Sequence, residues 1–512
     1  MSKIREVIDG NPRNTYFAYD SDNRITRIQK EYSQRNYTYD AFGRISQKDT
    51  EHTAGDDRHI LTETLTYASP GSGKTSSQVS QYRSTSDGNY DVTYTYTYDD
   101  NGNIRSVSDG TNTTTYAYDS ANQLTRENNQ AAGKTTRWDY DDGGNIKTRK
   151  EYAYTTGTVG TATDTVTYTY GNTAWGDLLT KYDGQTITYD GMGNPTSYYN
   201  GTRWTMEWEH GRELRTISDG STTWTNTYNA DGLRIRRSDG TNTYNYVYLG
   251  GQLVKATYND AAVMYFAYDA EGRPMSVKYN GTTYYYVTNL QGDVVGIVNQ
   301  SGNQIVSYTY DAWGNILTTT GSSANTLGKY NPLRYRGYVY DRETGFYYLQ
   351  SRYYDPKIGR FLNADALVST GQGILGHNMF SYCLNNPVCF VDDDGAMATE
   401  GIIAATNWWN PVGWTSAGIL LIEVIALVVT ISVVDEILDN PSVYFESEHT
   451  KNKRPSTKGK HEKGQSRKNR DQGGEKKEKK KNWIPNRNKR NFVDNTKGMR
   501  VWKNDRYMQE VF

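Results

Sequence analysis

The stretch YRGYVYDRETGFYYLQSRYYDPKIGRFLNADAL, Tyr335 to Leu367, repeats tyrosine, arginine, aspartate and glycine and contains almost no aliphatic residue. Globular cores are normally built from Leu, Ile, Val and Phe. A segment this aromatic and this polar is expected to pack as thin pleated sheet with one wet face.

Its Tyr-Asp pair returns along the first three fifths of the chain, each time followed by a glycine or asparagine turn: YDSDNR at Tyr19, YDAFGR at Tyr39, YDDNGN at Tyr98, YDSANQ at Tyr118, YDDGGN at Tyr140, YDGMGN at Tyr189, YDAEGR at Tyr268 and YDAWGN at Tyr310. Asp20 to Asp40 and Asp99 to Asp119 are steps of 20 residues, and Asp119 to Asp141 is 22. Between the copies run alternating segments such as TNTTTYAYD (Thr111 to Asp119), with the period of two that marks strands. Each repeat is read as a β-hairpin, and the array as an antiparallel sheet that buries one face by stacking on itself.

The turn chemistry supports this reading. In Asp-x-x-Gly-Asn and Asp-x-x-Gly-Arg the aspartate can accept hydrogen bonds from its own turn, while Gly or Asn takes the positive φ that the turn requires. Thr, Val and Tyr fit a pleated surface, and cross-strand aromatic pairs contribute roughly 0.2–1 kcal/mol each.

Composition excludes a conventional thick core, since only 35% of the 512 residues are hydrophobic while 48 are Gly and 46 are Tyr. Cys383 and Cys389 are too few and too close for a disulfide framework, have no histidine beside them for zinc, and are read as packing residues. No cofactor or metal is expected. The chain opens in mid-pattern without the apolar run of a secretory signal, as a section of a longer repeat array would.

The Tyr-Asp hairpins, ending in GFYYLQSRYYDPKIGRF and a downstream NNPV, resemble the Rhs/YD-repeat family of polymorphic toxins, over Met1 to about Gly395. The resemblance implies a mainly β fold, a hairpin sheet coiled into a hollow shell, with residues 1–333 as repeats and 334–396 as the core-closing segment. It implies a variable C-terminal toxin carried by the shell, secretion or display at the cell surface, delivery of the tip into a target cell, and a cognate immunity protein. It also implies an aspartyl self-cleavage site, at Asp365 in NADAL and Asp392 in VDDDG. The chain departs from the family pattern there: Ala366 and Asp393 stand where proline is expected, and Ala396 and Met397 follow the glycine in place of leucine. A carboxylate pair sharing one proton and turn-forming aspartates without chemistry both remain open.

After Gly395 the repeats stop. Within residues 397–440 lies GWTSAGILLIEVIALVVTISVV, Gly413 to Val434, whose 22 residues carry one charge, Glu423. That is long enough to cross about 30 Å of hydrocarbon, with Trp408, Trp409 and Trp414 near an interface. A membrane-inserting helix is expected, or else an apolar helix held within the shell until release.

The segment 441–512 is expected to be a small basic α+β toxin tip. Lys451 to Phe512 holds 21 Lys and Arg against 7 Asp and Glu, a net of +14 in a chain of net −1. Such polarity suits a polyanion, nucleic acid first. KGKHEKGQSRKNRDQGGEK, Lys458 to Lys476, groups His461, Glu462, Arg467, Arg470, Asp471 and Glu475, the acid, base and cation types that phosphodiester cleavage needs. A nuclease, RNase favoured, is the first reading of this tip. A merely basic binding segment, a carbohydrate-binding surface protein anchored by 413–434, and a pore-former acting through that stretch are the alternatives.

Overall fold

The computed structural model describes residues 2–400, apart from 9, 54–57, 70 and 72–75, together with strands Met499–Lys503 and Tyr507–Val511. The chain divides into two units, Met1–His449 and Thr450–Phe512. In the second, the two strands just named pair antiparallel as one hairpin. The first is antiparallel β-sheet throughout its repeats.

Strands β1 (Ser2–Ile8) to β16 (Gln185–Thr186) form one sheet and β17 (Thr188–Tyr189) to β30 (Ile316–Thr320) a second, each strand paired with its sequence neighbours. A helix of four residues, Leu327–Tyr330, interrupts this pattern before the closing segment.

The Tyr-Asp turns behave as their residue types dictate. Asp99 Oδ1 accepts the amides of Asn101 (3.0 Å) and Asn103 (2.8 Å) while Oδ2 accepts Asn103 Nδ2 (2.9 Å). Asp40, Asp119, Asp141, Asp190 and Asp311 repeat the arrangement. Gly102 and Gly314 hold φ of 87° and 90°, where a side chain would be strained.

The tyrosine before each aspartate does more than cover a pleat. Tyr39 Oη donates to the Ile25 carbonyl (2.7 Å), Tyr118 to Ile104 (2.7 Å), Tyr140 to Leu124 (2.6 Å) and Tyr310 to Val294 (2.7 Å). The register shifts at each of these tyrosines, so a bulge aims every ring inward along the sheet. Each repeat is thus tied to the one before it through a side chain as well as the ladder.

The second sheet returns over the first. Arg35, fully buried, pairs with Asp269 at 2.8 Å and Glu63 at 3.2 Å. His52 Nδ1 and Tyr285 Oη lie 2.6 Å apart, and Trp138 packs on Trp313 with centroids 5.9 Å apart. Breaking a buried pair of this kind costs about 3–5 kcal/mol, because a charge is left unpaired.

One crossing lacks such a cation. Buried Glu127 of the first sheet accepts the Ala312 amide of the second at 3.2 Å, and burial together with nearby Asp311 pushes its carboxyl up to about 8. A raised carboxyl stabilises the fold in its protonated form, so that contribution is complete below pH about 4.5 and is lost as pH rises through about 8. Glu127→Gln should therefore melt increasingly above the wild type as pH rises across this window; parallel melting curves at all pH values would contradict it.

The closing segment corrects an expectation. Strands β31 (Val339–Asp341), β32 (Phe346–Leu349), β33 (Arg352–Asp355) and β34 (Arg360–Phe361) form a small sheet whose middle strands are buried on both faces, with no wet side. Its polar atoms are satisfied by the repeat turns. Arg234 grips Asp341 with both terminal nitrogens (2.6 and 2.7 Å), and Tyr347 and Tyr354 donate to the carbonyls of Gly314 and Trp313. Asn386 donates to Asn103, Asn385 to Gln123 and the Gly144 carbonyl, and Arg360 to Asn145. A Cβ on Gly314 would stand 2.6 Å from the Tyr335 ring. The segment caps one rim of turns, and the polar residues that suggested exposure are its fastenings.

Candidate self-cleavage site in the closing segment

The chain reaches this site through a short hairpin, β35 (Phe390–Val391) paired with β36 (Thr399–Glu400). The loop between them, Asp392 to Ala398, is laid against β33 by its own backbone. Ser351 donates to the Asp394 carbonyl from its amide (3.1 Å) and hydroxyl (2.6 Å), Arg352 Nε to the Gly395 carbonyl, and Gln372 Nε2 to the Ala398 carbonyl (2.7 Å).

Asp365 and Asp392, 27 positions apart in sequence, meet here on one guanidinium nitrogen. Arg352 Nη2 lies 2.9 Å from Asp365 Oδ2 and 3.2 Å from Asp392 Oδ2, and all three side chains are buried. Asp365 Oδ1 accepts the Leu367 amide at 2.8 Å, which holds the carboxylate in a fixed turn. Asp392 Oδ1 accepts the Met397 amide at 3.2 Å, and the Asp392 amide donates to Tyr338 Oη at 2.9 Å. Burial raises the Asp392 carboxyl to about 6; Arg352 opposes the shift and the neighbouring Asp394 and Asp393 add to it. A cleft lined by Arg352, Asp365, Gln372, Asp392 and Met397 opens beside the loop.

The carboxylates read from the sequence are therefore brought together, but as an ion triad around an arginine, not as a bare pair. Arg352 was not singled out in the sequence, where SRYYD offers an arginine among many. Its one signal is its place in the most distinctive stretch of the chain. Ala366 and Asp393, the departures from the expected prolines, leave both aspartates where the loop can reach them.

His461, Glu462, Arg467, Arg470, Asp471 and Glu475 lie outside the described residues, as does the apolar stretch 413–434. Among the described residues no helix is long and apolar enough to cross a membrane. Of the tyrosines, Tyr19 and Tyr32 are exposed among the described residues. Cys383 is buried and Cys389 Sγ accepts the Ile104 amide at 3.3 Å, and neither is disulfide-bonded. The ligand atoms of Glu209, His210 and Glu213 lie within 4.8 Å of one another on an exposed turn, where His210 is hydrogen-bonded to Glu213 and Arg215 lies beside Glu209.

Comparison with known proteins agrees with this architecture. Residues 274–388 match the teneurin YD-shell family model and residues 98–129 the RHS repeat model. The tRNA3(Ser)-specific nuclease WapA of Bacillus spizizenii is 34% identical over 257 residues, 47% of this chain and 11% of the relative. The double-stranded DNA deaminase toxin A of Burkholderia cenocepacia is 32% identical over 121 residues, 23% of this chain and 8% of the relative. The chain thus spans about a tenth of the length of these relatives. In fold it is similar to the crystal structure of TcdB2-TccC3-Cdc42, with a TM-score of 0.56 at 17% identity, covering 78% of this chain and 22% of that one. With its tyrosine-tied turns and the segment that caps them, the chain carries the YD-shell and RHS-repeat signatures on a fold similar to that of the Rhs/YD-repeat proteins.

Proposed function

We propose that this chain is the shell and tip of a Rhs-type polymorphic toxin, and that its closing segment cuts the chain beside Asp392 to free the C-terminal part. The observation that carries the cleavage reading is the meeting of Asp365, Asp392 and Arg352 on the backbone of residues 395–398.

The chemistry follows from the contacts. In the resting chain Asp392 Oδ1 accepts the Met397 N–H, which sets this carboxyl, once protonated, beside the nitrogen that leaves from the Ala396–Met397 bond. Ionised Asp365, held by Arg352 and the Leu367 amide, takes a proton from water as the oxygen adds to the Ala396 carbonyl carbon. Collapse of the tetrahedral adduct passes the Asp392 proton to nitrogen, leaving a carboxylate on Ala396 and a free amine on Met397. Arg352 lies between the two carboxyls and, through the Gly395 carbonyl, holds the loop beside them.

For the tip, the reading is a nuclease that acts on RNA of a competing cell and is neutralised by an immunity protein. It is supported by the charge of the tail, by the His461 to Glu475 grouping, and by relatives that are tRNA nucleases at 32–34% identity. That a double-stranded DNA deaminase toxin is also 32% identical, over 121 residues, fits a tip that varies independently of its carrier. Expression of residues 397–512 in a bacterial cytoplasm should arrest growth and degrade RNA. Co-expression of a small acidic protein encoded directly downstream should restore growth. Cells that grow normally with the tip expressed would overturn the toxin reading.

A further inference from the structure

The geometry points to Arg212 as a positioning residue for the closing-segment reaction, holding the backbone of Asp365 from a repeat turn; this role rests on the self-cleavage reading above. Arg212 lies between β19 (Arg203–Glu209) and β20 (Glu213–Ser218), in the turn that joins them. Its guanidinium forks onto two successive carbonyls: Nη1 donates to Ala364 O, and Nη2 to Asp365 O at 2.6 Å.

The grip is built, not incidental. The turn is itself anchored, since Asn194 Nδ2 donates to the Gly211 carbonyl at 2.7 Å and the Met192 side chain lies against Gly211. On the other side, Ala364 is 1% exposed and seats its methyl against Gly193. Asp365 is then fixed at every polar atom: its amide donates to Met379 O (2.9 Å), Oδ1 accepts from Leu367, Oδ2 meets Arg352, and its carbonyl accepts from Arg212. Of these partners, only Arg212 belongs to the repeats. Ala366, which follows, has no ring to restrict its backbone, so the fork on residues 364 and 365 supplies the restraint that orients the carboxylate toward the loop. Among the described residues Arg212 makes no hydrogen bond to Asp392 or to residues 395–398, so it acts through Asp365.

The test is cleavage of the purified full chain, followed as the appearance of a new amino terminus. Arg212→Ala should slow cleavage about 10- to 100-fold, the cost of a misplaced catalytic group, with the melting temperature and the fall in rate through pH about 6 unchanged. Arg212→Lys should be intermediate, and millimolar methylguanidinium should restore the alanine variant. Wild-type cleavage with an equal rate in Arg212→Ala would overturn the role. A slow variant that melts early and is not rescued would overturn it also, assigning Arg212 to general support of the fold. If the wild type stays intact while Asp365→Asn and Asp392→Asn look the same, the cleavage reading itself has failed, a result distinct from either.

Discussion

Replacing Asp392 by Asn should leave the purified chain whole under conditions where the wild type parts into a large piece ending at Ala396 and a small one beginning at Met397. Loss of a single general acid costs roughly 10²–10⁴ in rate, enough to turn a reaction complete within hours into one unseen over days. Asp365→Asn should do the same, since an amide cannot accept the proton of water. In each variant the amide oxygen can still accept its backbone partner, Leu367 at position 365 and Met397 at position 392, while the ion pair with Arg352 is lost. The pH profile carries the sign. Asp392 must hold its proton to serve as acid, and burial sets its carboxyl at about 6, so the rate should fall as pH rises through that value. A rate that climbs across the same interval would show that Asp392 works as an ionised base, and mass analysis placing the new terminus away from residues 395–398 would remove the geometry from the argument. An intact wild type at mildly acidic and neutral pH would assign release to another protease.

The second large effect concerns His461. With the tip acting as a ribonuclease, His461→Ala should abolish RNA cleavage and growth arrest while RNA binding persists, because binding is spread over many cations. Arg467→Ala and Arg470→Ala should weaken both. A basic binder without chemistry gives the reverse order: the histidine variant is silent and each arginine matters in proportion to its charge. Incubation of total RNA and plasmid DNA with and without EDTA separates metal-independent acid–base chemistry from metal-assisted hydrolysis. Undiminished toxicity in His461→Ala would end the case for this residue.

What the sequence made legible was what is local. Asp99 and Gly102 sit within one turn, so residue type alone gave their hydrogen bonds and backbone sign. The partner of Tyr118 was not legible, because the Ile104 carbonyl is reached only after a bulge re-aims the ring across the sheet. The closing segment was misjudged for a related reason. Tyr347 and Asp341 look like surface residues until Gly314 and Arg234 are brought to them from elsewhere in the chain. At the candidate site the two aspartates were visible through a family resemblance, whereas Arg352 and Arg212 were not. An arginine's role depends on which carbonyl or carboxylate it meets, and Arg212 meets one 153 positions away. The tip is the opposite case: its chemistry is argued from residue types within a single short stretch.

The fastenings of the closing segment all point backwards along the chain. Asn103, Gln123, Asn145, Arg234 and Gly314 leave the ribosome before Asn385, Asn386, Arg360, Asp341 and Tyr347, which seek them. Domains that form during synthesis settle from the amino-terminal side at roughly 5–20 residues per second. The rim therefore waits, fully made, for the piece that completes it, and that piece carries Arg352, Asp365 and Asp392. Chain order works as a clock: Arg352, Asp365 and Asp392 cannot convene until translation has passed both the last repeat and the segment that closes on it.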